Sequence, residues 1–256
     1  MPKNAREVAL DALVSWQTGG VWSANRLKNM IERAELDPRD AALATYISQG
    51  VLQNLYLLDY HIARNSRISV KKMEIRVLNL LRIGAFQLIF SSSIPKRAAV
   101  NETVALCGKK NRSATGFVNA VLRAISRIED PFEIDEKNEI KRLSIIYSHP
   151  EWICRALQTK FGSEEATKVL AADNDIPPVT VQTNLLRGSP DELEAYFMGE
   201  GITYLKNEYI PGCFEIRGAG DLEKLEAYKD GLFWVQDAAS AAAVLVLAPE
   251  KNEKLL

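Results

Sequence analysis

The stretch from Glu74 to Phe90 sets the strongest condition on the fold. Wound as a helix, it places Ile75, Leu78, Leu81, Ala85, Leu88 and Ile89 on nearly every side, so it has no solvent face and must be surrounded. It also carries Arg82 and Gln87 and is too short to cross a bilayer. What surrounds it is therefore protein. The flanking sequence offers the surround: Asn4 to Trp16 has Val8, Leu10, Leu13 and Val14 at helical spacing and ends at Gly19-Gly20, and Leu27, Met30, Ile31 and Ala34 mark a second helix. Asp37-Pro38 supplies an N-cap and a first-turn proline for a third, running through Leu43, Ile47, Val51, Leu55 and Leu58 with a break near Asn54. Pro95 opens another with Val100, Val104 and Cys107 inward, and Phe117, Val118, Val121, Leu122, Ile125 and Ile128 form the last. An all-α bundle of about six or seven helices follows from this count.

The acidic, proline-containing segment IEDPFEIDEKN (128–138) reads as a connector and places a domain boundary there. Beyond it, Ile140 to Tyr147 is helical, and Pro150 starts a helix with Trp152, Ile153, Leu157 and Phe161 expected inward. Another helix covers Glu164 to Ala172. After Pro177-Pro178 the apolar period drops to two, with Val179, Val181 and Thr183 alternating with Thr180 and Gln182, the mark of a half-buried strand. Ser189-Pro190-Asp191-Glu192 is a capping box opening a helix that ends near Gly199 or Gly201. Ile202 to Leu205, Cys213 to Ile216 and Phe233 to Val235 are short strands, and Ala238 to Leu247 is a final helix stopped by Pro249. The second half is thus α/β, with a small, mostly antiparallel sheet.

Charge divides along the same line. Residues 1–142 hold 22 Lys plus Arg against 15 Asp plus Glu, and 143–256 hold 10 against 18, so a total near −1 conceals halves of +7 and −8. A basic helical half is suited to an anionic polymer and an acidic half is not. Cys107, Cys154 and Cys213 are too few and scattered for a disulfide framework, and His61 and His149 leave no set of ligands for a structural metal. The amino terminus lacks the uninterrupted apolar core of a signal peptide, and the default compartment is a reducing cytoplasm. No catalytic triad, P-loop or GxGxxG is present.

Two segments remain for chemistry. The loop Lys109-Lys110-Asn111-Arg112-Ser113-Ala114-Thr115-Gly116 joins one helix end to the next helix start. It gathers three cations, two hydroxyls and free N–H groups suited to phosphate oxygens. The same residues also serve as helix caps and dipole partners, and spacing alone leaves both readings open. Further cations, Arg64, Arg67, Lys71 and Lys72, then Lys96-Arg97, Arg6 and Arg123, make a stripe for structured RNA if the bundle brings them together. Few aromatics are interleaved with them, so backbone contact is indicated over base stacking. The second segment, GLFWVQDAASAAAVLVLAP (231–249), turns from a strand at Gln236-Asp237 into an alanine-rich helix. It is either a ligand edge or a buried helix capped by Asp237.

The runs LRIGAFQLIF (81–90), IPKRAAVNETVALCGKKN (94–111) and GFVNAVLRAI (116–125) resemble the NusB-type helical domain. That domain is shared by a transcription antitermination factor and by the amino terminus of bacterial rRNA cytosine methyltransferases. YSHPEWI (147–153), TNLLRGSPDEL (183–193) and WVQDAASAAAVLVLAPE (234–250) are similar to the middle of the Sun-type methyltransferases, which modify carbon 5 of a small-subunit rRNA cytosine. The resemblance implies a NusB-like RNA-binding domain over 1–135, a small RRM-like α/β linking domain over 140–230, and the start of an S-adenosylmethionine-dependent domain over 231–256. The cations read above, Arg6, Lys96, Arg97, Lys109, Lys110, Arg112 and Arg123, are the candidate RNA contacts of such a domain, and the resemblance implies Gln236, Asp237 and Ser240 as residues beside the cofactor pocket. Small-subunit rRNA, and a ribosomal protein through the helical domain, are the implied partners.

In that family a strand here beginning at Lys254-Leu255-Leu256 leads into the cofactor loop, and two later cysteines carry the chemistry. Cys107, Cys154 and Cys213 match neither, so the expectation is an RNA-recruiting portion without methyl transfer or tight cofactor binding of its own. The alternative is a stand-alone adaptor of the antitermination kind.

Overall fold

The computed structural model describes residues 3–19, 22–110, 112–175, 177–250 and 252–254, with only the backbone of Lys109 and Lys110. The chain divides into two compact units, Met1–Asp175 and Ile176–Leu256.

The first unit is helical. Helices α1 (Ala5–Gly19), α2 (Ala24–Arg33), α3 (Pro38–Gln53), α4 (Leu55–Arg64), α5 (Ile75–Phe90), α6 (Lys96–Lys110) and α7 (Thr115–Ile125) precede the acidic connector, and α8 (Glu139–Tyr147) and α9 (Glu151–Ala172) follow it. Residues 77–88 of α5 are all buried, as its all-round apolar surface requires. Leu10 and Leu13 of α1, Ile47 and Val51 of α3, Leu58 and Ile62 of α4, and Val118 and Leu122 of α7 pack around it. Asp37 Oδ1 accepts from the Asp40 N–H at the start of α3, and α3 gives way to α4 at Asn54, whose dihedrals leave the helical region. Gly50 lets the α5 ring of Phe86 lie directly against the α3 backbone, where a Cβ would sit 2.0 Å from Phe86 Cζ.

The acidic connector lies within this unit. His61 is buried in α4 and its Nε2 donates to the Pro131 carbonyl (2.8 Å), pinning the connector to the bundle. Ser148, left-handed at φ 54°, caps α8 and its Oγ accepts from Leu57 N–H (3.3 Å). The α8–α9 pair closes on Ile140, Leu143, Cys154 and Leu170. Helix α9 is two segments joined at Gly162, whose dihedrals (80°, 171°) break the helical path. Ile153 and Leu157 pack inward as expected, but Trp152 and Phe161 are exposed. The α8 stripe takes positions 153, 154 and 157, and position 152 lies a further 100° round the helix from 153.

The second unit runs β1 (Val179–Thr183), α10 (Pro190–Gly199), β2 (Thr203–Lys206), β3 (Cys213–Arg217), α11 (Glu226–Lys229), β4 (Phe233–Val235) and α12 (Ala238–Leu247). The sheet order is β2-β3-β1-β4 with every neighbour antiparallel. Through β4 this is the βαββαβ topology of ferredoxin-like and RRM folds. Val181, Phe214, Ile216 and Phe233 form one face and pack on Leu193 and Phe197 of α10. On the other face Cys213 meets Ile210 and Ala241 of α12. The expected capping box is present: Ser189 Oγ accepts from Glu192 N–H and Glu192 accepts from Ser189 N–H. Within α12, Ala241 is buried while Val244 through Leu247 are exposed. Among the described residues, no helix is long and apolar enough to cross a membrane. The strand expected from Lys254-Leu255-Leu256 involves residues outside the described set.

Two outcomes follow. Gly50→Ala forces a methyl into the Phe86 ring and lowers stability by about 1–3 kcal/mol, despite alanine's better helix propensity. Adding Phe86→Leu recovers part of that loss in a denaturant titration, and an unchanged midpoint for Gly50→Ala contradicts the packing. Burial holds His61 below its ordinary value, against the raising influence of the Pro131 carbonyl. The unfolded chain therefore takes up this proton more readily, and the stability neutral His61 contributes is complete above about pH 6.5. It is lost as pH falls through the lower folded-state value. His61→Gln should flatten the decline of the thermal midpoint between pH 7 and 5, and parallel declines in both proteins would refute the assignment.

Candidate nucleic-acid interface

Helices α6 and α7 form an antiparallel hairpin whose two ends carry the cations singled out in the sequence. At one end, Lys96 and Arg97 open α6 and both are exposed. Lys96 Nζ donates to the Ser126 carbonyl (3.2 Å), at the cap of α7, where a cation satisfies an orphan acceptor and complements the helix dipole. Arg123, exposed in the last turn of α7, donates through Nε to Asn119 Oδ1 (3.1 Å), which leaves the outer guanidinium edge to solvent. Arg127, exposed just beyond, joins this group. It was not singled out in the sequence, because it sits one residue before the acidic connector and lacks a basic neighbour.

At the other end, Arg112 is exposed in a 3-10 turn that enters α7. Lys109 and Lys110 end α6, but their side chains lie outside the described residues, as does Asn111. The two hydroxyls of this loop part company: Ser113 is exposed, while Thr115 Oγ1 is buried beside Cys107. Only one hydroxyl therefore faces a ligand. Helix α7 spans roughly 16 Å at 1.5 Å per residue, so the hairpin carries cations at both ends of a short stripe. Among the described residues no ion pair engages Arg97, Arg112, Arg123 or Arg127.

Arg6 lies on α1 and not on the hairpin. It is half-buried at the start of α1, and its Nε donates to Oε1 of the fully buried Gln87 (2.8 Å). Sequence shows only an isolated cation in an amphipathic helix, and its partner is 81 residues away. Arg64 is paired with Asp135 (3.3 Å) and lies over the Tyr60 ring, whereas Arg67, Lys71 and Lys72 are exposed around a separate turn.

In the second unit Gln236 N–H donates to the Thr180 carbonyl, and Gln236 Oε1 accepts from Trp234 Nε1 (2.9 Å). Asp237 caps α12, with Oδ1 accepting from Ala239 N–H (2.8 Å), and Ser240 is exposed one turn on. The neighbouring groove, about 400 Å³, is walled by Tyr209, Ile210, Ala238, Ala242 and Leu245. Its one amide, Asn207, already accepts from two backbone N–H groups.

The three cysteines are buried, and burial pushes each thiol above its ordinary value, with Glu215 and Asp237 adding to the effect at Cys213. None is a ready thiolate. Among the described residues no group of His, Cys, Asp and Glu is placed to hold a metal ion.

A helical bundle with a cationic hairpin, followed by a βαββαβ sheet, defines a two-domain protein of the kind that joins a NusB-type module to a ferredoxin-like one. The family models agree: residues 3–127 match the NusB family, and residues 149–223 match the Methyltr_RsmF/B-like, ferredoxin-like domain. This chain therefore carries a NusB-family domain and the ferredoxin-like domain of RsmF/B-type methyltransferases, in that order.

Among its relatives is "Probable ribosomal RNA small subunit methyltransferase B" of Bacillus subtilis (strain 168), 28% identical over 254 residues, which covers 99% of this chain and 56% of that protein. "Ribosomal RNA small subunit methyltransferase B" of Escherichia coli O157:H7 (strain EC4115 / EHEC) is 26% identical and covers 99% and 58% respectively. The chain thus spans a little over half the length of these curated relatives. The crystal structure of PH0851 shares the fold at a TM-score of 0.68 and 16% identity, over 96% of this chain and 56% of that one.

Proposed function

We propose that this chain is the RNA-binding amino-terminal portion of a small-subunit rRNA (cytosine-5)-methyltransferase that uses S-adenosylmethionine. The observation that carries the reading is its alignment, over 99% of its length and through both domains, with rRNA small subunit methyltransferases B. In this reading the α6–α7 hairpin recruits rRNA through its phosphates, with Lys96, Arg97, Arg112, Arg123 and Arg127 as contacts and Lys109 and Lys110 beside them. Arg6 acts on the fold by holding α1 to α5. The cofactor supplies an electrophilic methyl group when bound to the whole protein, and residues 3–250 contribute positioning of RNA rather than chemistry. A ribosomal protein seated on the helical domain belongs to the same proposal.

Titration of the chain against a small-subunit rRNA fragment over a range of salt tests the hairpin. Arg112→Ala and Arg123→Ala should each reduce the slope of log K against log salt by about 0.9 if the contacted RNA is a duplex. Arg6→Ala should leave the slope unchanged and lower the thermal midpoint. Slopes insensitive to Arg112 and Arg123 reject the hairpin as the interface.

Carbon-6 attack on cytosine needs an accessible thiolate, and the three cysteines are buried thiols. Residues 1–256 mixed with tritiated S-adenosylmethionine and rRNA should therefore transfer no label. Incorporation above background would sink this assignment.

A further inference from the structure

Trp152 is 70% exposed on the first segment of α9, unusual for an indole, which ordinarily buries most of its large apolar surface. Ile153, Cys154 and Leu157 hold this segment against α8, so the opposite face is rigid and outward. That face presents Trp152, Arg155, Ala156 and Thr159 at positions i, i+3, i+4 and i+7, with Lys160 on its flank, and all five are exposed. Ala156 and Thr159 are short, which leaves the indole face uncovered.

Among the described residues neither Arg155 nor Lys160 forms an ion pair. Lys160 Nζ lies over the Phe161 ring at 5.0 Å, so its charge is placed without being neutralised. Glu151, one residue before the indole, is a first-turn carboxylate that suits the helix N-terminus.

A protein-docking face would surround the indole with further apolar surface, and a contiguous patch of that kind is what marks such sites. On this face the indole shares the helix surface with Arg155 and the short side chains of Ala156 and Thr159, with Glu151 before it and Lys160 on its flank. An aromatic face flanked by unpaired cations is the arrangement that takes an unpaired base with its phosphates.

We propose that Trp152, Arg155 and Lys160 form a second RNA contact that stacks one unpaired nucleotide on the indole and pairs the adjoining phosphates with the two cations. It rests on the RNA-binding reading above and adds a single-stranded element to the backbone contacts of the hairpin. The contact was concealed in the sequence, where Trp152 sits among apolar residues of the α8–α9 packing stripe.

The test uses the whole chain with a short fluorescein-labelled unstructured RNA, and a duplex RNA of the same length, read by anisotropy. Trp152→Ala should weaken binding of the unstructured RNA about ten-fold and leave duplex binding unchanged, while Trp152→Phe keeps most of the affinity. Arg155→Ala and Lys160→Ala should each lower the salt slope on the unstructured RNA by about 0.7. All three positions are at the surface, and circular dichroism melts coincident with the parent exclude a folding effect.

If the unstructured RNA binds the Trp152→Ala chain as it binds the parent, the stacking contact is overturned while the hairpin reading stands. If Trp152→Ala alters only the sedimentation coefficient, the face is a self-association surface and the proposal likewise fails. Absence of salt-dependent binding to either RNA by the parent chain removes the RNA-binding reading and this contact with it.

Discussion

A helix buried on every side must satisfy every polar group it carries from within the protein, and in α5 those groups decide how the bundle is assembled. Arg82, with its side chain 8% exposed, forms a two-pronged pair with Asp59 of α4, Nε and Nη2 each 2.8 Å from a carboxylate oxygen. Its remaining arm reaches Gln17 of α1 (3.1 Å) and Asn79 (3.3 Å), and Asn79 in turn donates to Gln17 (2.8 Å). Gln87 receives Arg6 from the other end of α1. Apolar contacts alone would tolerate a slide of α1 along α5. The polar ties at Gln17 and Arg6 do not, because a slipped register leaves a buried guanidinium or amide unpaired, at a cost of several kcal/mol. An isolated buried pair of this kind is a weak source of net stability, and its role here is to select one packing among several that bury the same surface.

That selection has a direct bearing on the interface. The hairpin of α6 and α7 packs on the side of α5 marked by Gly84, where a Cβ would meet the Leu122 side chain at 2.6 Å. With α5 fixed, the inward stripe of α7, Val118, Val121, Leu122 and Ile125, is fixed too, and Arg123 is left on the outside. The cations of the stripe are thus oriented by a core that contains none of them.

Much of this was legible in the sequence, and the parts that were not share a cause. Period, caps and breaks act locally: the Asp37-Pro38 start, the interruption at Asn54, the Ser189–Glu192 box and the change of period after Pro178 each appear in the structure where the residues placed them. The inwardness of a single side chain is different, because it depends on where a partner helix ends. Trp152 was expected in the core because it adjoins Ile153, yet α8 selects the neighbouring stripe. Phe161 was expected there too, but Gly162 ends the segment and with it the packed face. Arg6 has a buried partner, Gln87, that lies 81 residues away and is invisible at short range. Pairwise contacts between distant residues do not appear in any window of periodicity.

The ferredoxin-like unit shows why topology should not be read as an RNA-binding surface. Sheets of this order that bind RNA stack bases on aromatic side chains of their two central strands. Here the central strands β1 and β3 place Thr180 and Gln182, and Cys213 and Glu215, on the face away from α10, and α12 covers Cys213. Beyond residue 175 the chain holds 7 Lys plus Arg against 13 Asp plus Glu, a balance that repels a phosphate backbone. The central strands thus lack the aromatic pair and the field is negative; the exposed indole on this face, Trp234, belongs to the edge strand β4. The groups suited to RNA, the hairpin cations and the Trp152 face, are carried instead by the helical unit, where the net charge is positive and α5 and α8 hold them rigid.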